Sequence, residues 1–331
     1  MTTLIGPEKL LEIISEPNLA DAGPGDVSAI ALDLRDQCLN EQEVSRVKQW
    51  LTHQPVVIVG LVNENRQLID ALDLAVDSNA EVETSLNAIH RNPMASAVLV
   101  QVTRATASLP IATALSVESL GYATLQSGEE FRLWLAEYRK TKKSNKTIQV
   151  SNPVVIERKG SALHLQLNSL ENRNALSTAM RDGLTEAFKL VAVDASIQRV
   201  IVSGNGPCFS AGGDLTEFGS AKDLTMAHHI RQLRMPAQYL APHAARYSFQ
   251  LHGACIGAGI ELPAFAHHLT AKPDSFFQLP EVGMGLIPGA GGCVSIPRRI
   301  GRHRTNYLAI TGERLSAEKA LSWGLIDEIV D

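Results

Sequence analysis

Apolar positions in the first seventy residues fall into two short runs. VSAIALDL (27–34) alternates as a half-buried strand does, and PVVIVGLV (55–62) is continuous, as in strands covered on both faces. Between them Val44, Val47, Trp50 and Leu51 recur at helical spacing. These residues predict a small α/β stretch. Residues 80–140 predict helices alone. Val82, Leu86 and Ile89 form one stripe, which Pro93 closes, and Ala95, Val98, Leu99 and Val102 follow at i, i+3, i+4 and i+7. A third helix covers 111–127, and a fourth carries Phe131, Trp134, Leu135 and Tyr138 on one face. The run RKTKKSNK (139–146) is basic and polar and predicts a solvated linker.

Beyond that run, strand and helix patterns alternate. ALHLQL (162–167) predicts a strand, and Leu176, Met180, Leu184 and Phe188 mark one face of a helix. QRVIVS (198–203) predicts a second strand. YSFQLH (247–252) predicts a third, running into GACIGAGIEL and a helix. Such repetition predicts an α/β domain with largely parallel strands.

Composition narrows the function. The chain has 331 residues, 45% hydrophobic and 20% charged, enough for one large domain or two small ones. A formal net charge of −5 argues against a nucleic-acid binder, which would carry a basic face. The four cysteines form no CxxC pair, so neither a disulfide framework nor a zinc site is expected, and His228 and His229 lack a third ligand at metal spacing. The first residues, MTTLIGPEKLLEIISEP, do not read as a signal peptide, and no apolar run approaches the roughly 20 residues that span a bilayer. The expectation is a soluble cytoplasmic protein with no membrane or nucleic-acid partner.

Two loops share one design. Ser210-Ala211-Gly212-Gly213-Asp214 and Gly257-Ala258-Gly259-Ile260-Glu261 each follow an apolar strand and lead into helix-like sequence. Small residues let a ligand approach the backbone, and a helix start offers unpaired N–H groups. Two such groups aimed at one point would make an oxyanion hole; otherwise the glycines merely permit tight turns. Neither loop fits a nucleotide fingerprint, since GNGPCFS lacks the GxGxxG spacing and no GKS or GKT follows. Glu261 and Glu281, set among apolar and glycine residues, are candidate acid and base; the ordinary alternative for each is a solvated surface carboxylate.

The motifs FSAGGDLTEF, HGACIGAGIELPAFA, LPEVGMGLIPGAGG and ITGERLSAEKALSWGLIDEIV, in this order, with NRNALSTAM before them, resemble the crotonase superfamily of enoyl-CoA hydratases and isomerases over about 152–331. The resemblance implies an α/β fold, a spiral of ββα repeats, that assembles as a homo-oligomer (trimer or hexamer) and binds an acyl-CoA thioester. The loop beginning at Gly204 would be bare because the thioester oxygen and the CoA adenine lie against it. Gly213 and Ala258 would supply the oxyanion-hole amides, although the family more often has glycine at the second position. Ala211, Gly213, Asp214, Leu215, Thr216 and Ala258 would line the substrate site. Glu261 and Glu281 stand where hydratases keep two glutamates, whereas isomerases commonly retain only the second. The resemblance therefore implies an enoyl-CoA hydratase, a hydro-lyase needing no metal and no cofactor, coenzyme A being part of the substrate. An isomerase moving a Δ3 double bond to Δ2, and a non-catalytic acyl-CoA-binding scaffold, are the alternatives. The family's usual acidic residue after the second loop is replaced by His267, for which core packing or a hydrogen bond is expected.

The sequence of 78–143 resembles the family's C-terminal helices, placed ahead of the core instead of after it. That implies a circular permutation with three parts: an α/β extension over 1–77, a helical region over 78–146 and a ββα core over 147–331. Chain ends that lie close together at a domain surface make such re-cutting feasible. In that arrangement the basic run of Arg139, Lys140, Lys142 and Lys143 would approach the CoA phosphates.

Overall fold

The two apolar runs near the N-terminus lie side by side in the computed structural model, which describes residues 4–15, 28–35, 39–63, 67–141 and 152–331. Strands β1 (Ala29–Asp33) and β2 (Val57–Leu61) pair in parallel, and β3 (Leu74–Val76), too short for its alternation to stand out in sequence, extends the sheet beyond β2. Helices α1 (Pro7–Ser15) and α2 (Glu41–Thr52) cover one face through Leu10, Val47 and Leu51, against Leu32, Ile58 and Leu72. Helix α2 starts at a capping box in which Asn40 and Glu43 each accept the other's amide. The opposite face, with Val57, Val59, Leu74 and Val76, joins the main core. Both faces are covered, as a parallel sheet requires.

Four helices follow: α3 (Asn79–Arg91), α4 (Pro93–Thr106), α5 (Ile111–Gln126) and α6 (Glu129–Thr141). Pro93 both closes α3 and opens α4, because the first helical position needs no N–H partner. The basic run expected to be linker begins inside α6, which continues to Thr141; the rest of that run, with Lys142 and Lys143, lies outside the described residues.

The remaining chain carries β4 (Val154–Lys159), β5 (Ala162–Leu167), α7 (Thr178–Val193), β6 (Arg199–Gly204), α8 (Leu224–Arg234), β7 (Tyr247–Leu251), β8 (Ala254–Ile256), β9 (His268–Ala271), β10 (Phe276–Gln278), α9 (Gly292–Ile300), α10 (Arg302–Thr311), β11 (Leu315–Ser316), α11 (Ala317–Trp323) and β12 (Glu328–Ile329). A six-stranded sheet runs β12-β9-β7-β6-β5-β4, parallel except between β4 and β5, and a smaller sheet runs β11-β10-β8. The largely parallel arrangement agrees with the strand–helix alternation. Leu176, expected on a helical stripe, precedes α7, whose start is fixed by the Ser177 hydroxyl accepting the Met180 amide.

The helical region is part of this core. Helix α4 packs on α9 and α10, and α5 packs on α9 and α8. Thr106 donates to the Cys293 carbonyl at 3.2 Å and Thr103 to the Asn306 side chain at 3.0 Å. The N-terminal sheet is tied on through Asp73, which is fully buried. Its carboxylate accepts from the Ile58 amide and from Arg104, with Arg302 3.6 Å away. Asn306 donates to the Asp73 carbonyl at 3.0 Å.

Candidate active site

Both glycine loops turn out of parallel strands and run alongside each other. Ser210 donates its amide to the Ala254 carbonyl and accepts from the Ile256 amide, so the loops are stitched together by backbone. Gly212, at φ +94°, lies so close to the second loop that a Cβ there would stand 2.8 Å from the Ile256 carbonyl oxygen. A side chain on Gly259 would meet the Ser210 carbonyl at the same distance. Only glycine allows this approach.

A cleft of about 460 Å³ opens over the paired loops. Gly213, Asp214, Ala258, Glu261 and Glu281 all line it. Among the described residues the amides of Gly213 and Ala258 donate to no backbone acceptor; Ala258 is the first residue of the short helical turn Ala258–Glu261, where the N–H has no intrahelical partner. Asp214 is held by its own turn, accepting from the Thr216 amide and hydroxyl and from Asn172. Ala211, Leu215 and Thr216 are not among the lining residues, and the Ala211 amide is occupied by the Arg173 carbonyl.

The two glutamates meet at Gly257. That residue has φ +48° and ψ −120°, and a Cβ on it would collide with Glu281 Oε1 while lying 3.6 Å from Glu261 Oε1. Both carboxylates thus converge on one point beside the Ala258 amide. Their surroundings differ. Glu261 Oε2 accepts from the amides of Ala290 at 2.7 Å and Gly292 at 2.9 Å, at the start of α9. Glu281 Oε2 is buried with no hydrogen-bond partner.

The matched family model, enoyl-CoA hydratase/isomerase, covers residues 157–331, more than half of the chain and all of this site except what α5 supplies. The chain belongs to the enoyl-CoA hydratase/isomerase family. It is 30% identical over 176 residues to the 2,3-dehydroadipyl-CoA hydratase of Escherichia coli (strain K12), covering 53% of this chain and 68% of the relative. It is 32% identical over 182 residues to the mitochondrial Δ3,5-Δ2,4-dienoyl-CoA isomerase of Rattus norvegicus, covering 50% of this chain and 55% of that one. The chain thus spans between about half and two-thirds of these relatives. Among solved structures, the enoyl-CoA hydratase from Thermoplasma volcanium GSS1 is similar with a TM-score of 0.50 and 33% identity, over 55% of this chain and 73% of that one. The fold is the crotonase fold.

In this hydratase/isomerase family member a third carboxylate reaches the site from outside the matched segment. Glu118, on α5, is 1% exposed, and its oxygens accept from the amides of Gly291 at 2.7 Å and Cys293 at 2.9 Å. Successive amides from Ala290 to Cys293 are therefore taken alternately by Glu261 and Glu118. Burial, then the nearby Glu261, push the Glu118 carboxyl well above the usual range against the pull of those amides. Burial, and then Glu261, likewise push Glu281 well above it. Burial lifts Glu261 to about 7, opposed by its two amides and by Arg231. Buried together, the acids resist ionisation; Glu261, with two amides and a helix N-terminus on one oxygen, is the better placed to carry charge.

Glu118, Tyr122, Gln126 and Arg231 escape the sequence reading. One signal was present: Leu115, Glu118, Tyr122 and Leu125 share one stripe of α5, so a charge interrupts an apolar face. Arg231 carries no comparable signal. Core packing or a hydrogen bond is expected for His267 and His268; His267 is exposed, and His268 lies 3.5 Å from Glu328 and 3.8 Å from Asp327. His228 shares a hydrogen bond with Ser119. Among the described residues no cluster of three or more His, Cys, Asp or Glu could hold a metal, and no helix is long and apolar enough to cross a membrane.

Proposed function

We propose that the protein adds water across the 2,3 double bond of an enoyl-CoA thioester. The observation that carries this is the convergence of the Glu261 and Glu281 carboxylates beside two free amides in one cleft. The amides of Gly213 and Ala258 receive the thioester oxygen. Charge on that oxygen grows as the nucleophile adds, so donors already fixed in place favour the transition state over the ground state. Glu261, charged, takes a proton from water as the oxygen bonds to C3. Glu281, protonated, gives its proton to C2 as the enolate collapses, and the proton taken up by Glu261 passes to Glu281 to restore both acids. One water is added and no electrons are exchanged.

A Δ3-to-Δ2 isomerase would need only one proton carrier, and the buried Glu281 oxygen without a partner suits that role. The Glu261→Gln and Glu281→Gln variants separate the readings. Hydration of crotonyl-CoA, followed as loss of conjugated-thioester absorbance, is expected to fall in both. A change confined to Glu281→Gln, with 3-enoyl-CoA as the better substrate, would favour isomerisation. Intact CoA-thioester binding without turnover of either would leave the scaffold reading.

We also propose the permuted domain order, with 78–146 doing the work of the family's C-terminal helices and 1–77 as an addition. The packing of α4 and α5 on α9 and α10 supports this, as does Glu118 holding the start of α9. Arg139 supports it too: a Cβ on Gly219, in the cleft wall, would stand 3.3 Å from the Arg139 guanidinium. The homo-oligomer, trimer or hexamer, belongs to the same proposal. Met226, Ile230 and Leu233 on α8 are exposed, the first two in the wall of the cleft, and a second subunit closing that wall would cover them.

A further inference from the structure

Hydration uses two amides and two carboxylates and leaves other polar atoms of the cleft unexplained. Arg231, on α8, stacks its guanidinium 4.0 Å over the Tyr122 ring, and its Nη1 is buried without a hydrogen-bond partner. Gln126, one turn after Tyr122 on α5, has a buried Oε1 that also lacks a partner. Both side chains line the same cleft as Glu261 and Glu281.

The neighbouring carboxylates do not supply the missing acceptor. Both Glu118 oxygens and Glu261 Oε2 are engaged by the amides of Ala290 to Cys293. They attract Arg231 through space without bonding to it. The cation–π contact with Tyr122 restrains the guanidinium and leaves the Nη1 N–H groups without an acceptor. A planar N–H edge fits a carboxylate or carbonyl oxygen, and a buried donor of this kind is costly when left unpaired. The Gln126 amide can turn to present either its oxygen or its NH2. A purely aliphatic acyl chain would give these groups nothing to bond.

We propose that Arg231, assisted by Gln126, selects acyl-CoA thioesters whose acyl chain carries an oxygen acceptor beyond C3. This rests on the acyl-CoA reading of the cleft. If the thioester oxygen sits on the amides and C3 at the glutamates, the α5 and α8 wall of the same cleft, where Arg231 and Gln126 stand, is left to receive the rest of the chain. Arg231 is then a specificity residue that touches the distal end of the substrate and takes no part in proton transfer.

Calorimetric binding of three saturated six-carbon thioesters tests this without requiring turnover. Hexanoyl-CoA ends in a methyl group, 5-oxohexanoyl-CoA carries a neutral carbonyl, and adipyl-CoA ends in a carboxylate. At least one oxygenated ligand is expected to bind tenfold or more tightly than hexanoyl-CoA, and which one does so tells whether charge is required. Arg231→Met is expected to bring the ratio close to one. Gln126→Leu, which leaves the guanidinium in place, is expected to reduce it severalfold, and serves if the Arg231 variant misfolds. Three equal affinities in the wild-type protein, or a preference that survives Arg231→Met, would overturn the assignment while leaving the acyl-CoA reading intact. Failure of all three to bind would remove both.

Discussion

At Gly257 the backbone takes a positive-φ conformation that L side chains rarely adopt, and a Cβ there would also fall on Glu281 Oε1. Gly257→Ala is expected to abolish turnover and lower the melting temperature, since strain and the collision with Glu281 act together. Each glutamine variant of Glu261 and Glu281 is expected to lose roughly 10²–10⁴-fold in kcat, the range for a positioned acid or base. The two acids should also shape the pH profile. Glu261 must be charged, so activity is expected to rise with pH through about 7. Glu281 must hold its proton, so activity falls again once pH passes its raised pKa. A pH–kcat/KM series showing a single falling limb would contradict these roles. Stability has its own signature. Because Glu261 is harder to ionise folded than unfolded, its favourable contribution is complete below about 4.5 and disappears as pH rises to about 7. Over that interval the wild-type protein should lose melting temperature relative to Glu261→Gln, which keeps an oxygen for the Ala290 and Gly292 amides.

Helix α9 shows how the elements cooperate. Its first N–H groups have no intrahelical partner, and two glutamates from different parts of the chain satisfy them in alternation. The helix start in turn steadies Glu261. Glu118→Gln replaces one acceptor with an NH2 group facing a backbone N–H, and is expected to cost about 1–3 kcal/mol in chemical unfolding. It should also lower kcat without raising KM, because Glu118 acts through Glu261 and touches no substrate. The two loops and their acids were legible in sequence because small residues, strand ends and carboxylates sit within a few positions of one another. Arg231 was not, and Glu118 only as a charge on an apolar stripe, because what brings each to the site is a contact across more than a hundred residues. Strand β3 was hidden by its three-residue length, and the end of α6 by a composition that suits a solvated helix terminus as well as a linker.

Across the whole molecule, the N-terminal sheet is bound to the family core through a buried charge. Asp73 is bonded to Arg104 and to the Ile58 amide and lies near Arg302. Asp73→Ala leaves the Arg104 and Arg302 guanidinium groups with backbone carbonyls but no carboxylate at that junction and is expected to destabilise the protein by about 3–5 kcal/mol, with hydrogen exchange accelerating first in β1 to β3. Uniform acceleration throughout the molecule would instead show that sheet and core unfold as one unit. The proposed chemistry is tested most directly by incubating the wild-type protein with crotonyl-CoA in ¹⁸O-labelled water and weighing the product thioester. One labelled oxygen in a product one water heavier is expected. Recovery of an unlabelled thioester of unchanged mass, isomerised or intact, would contradict hydration at the Glu261–Glu281 pair.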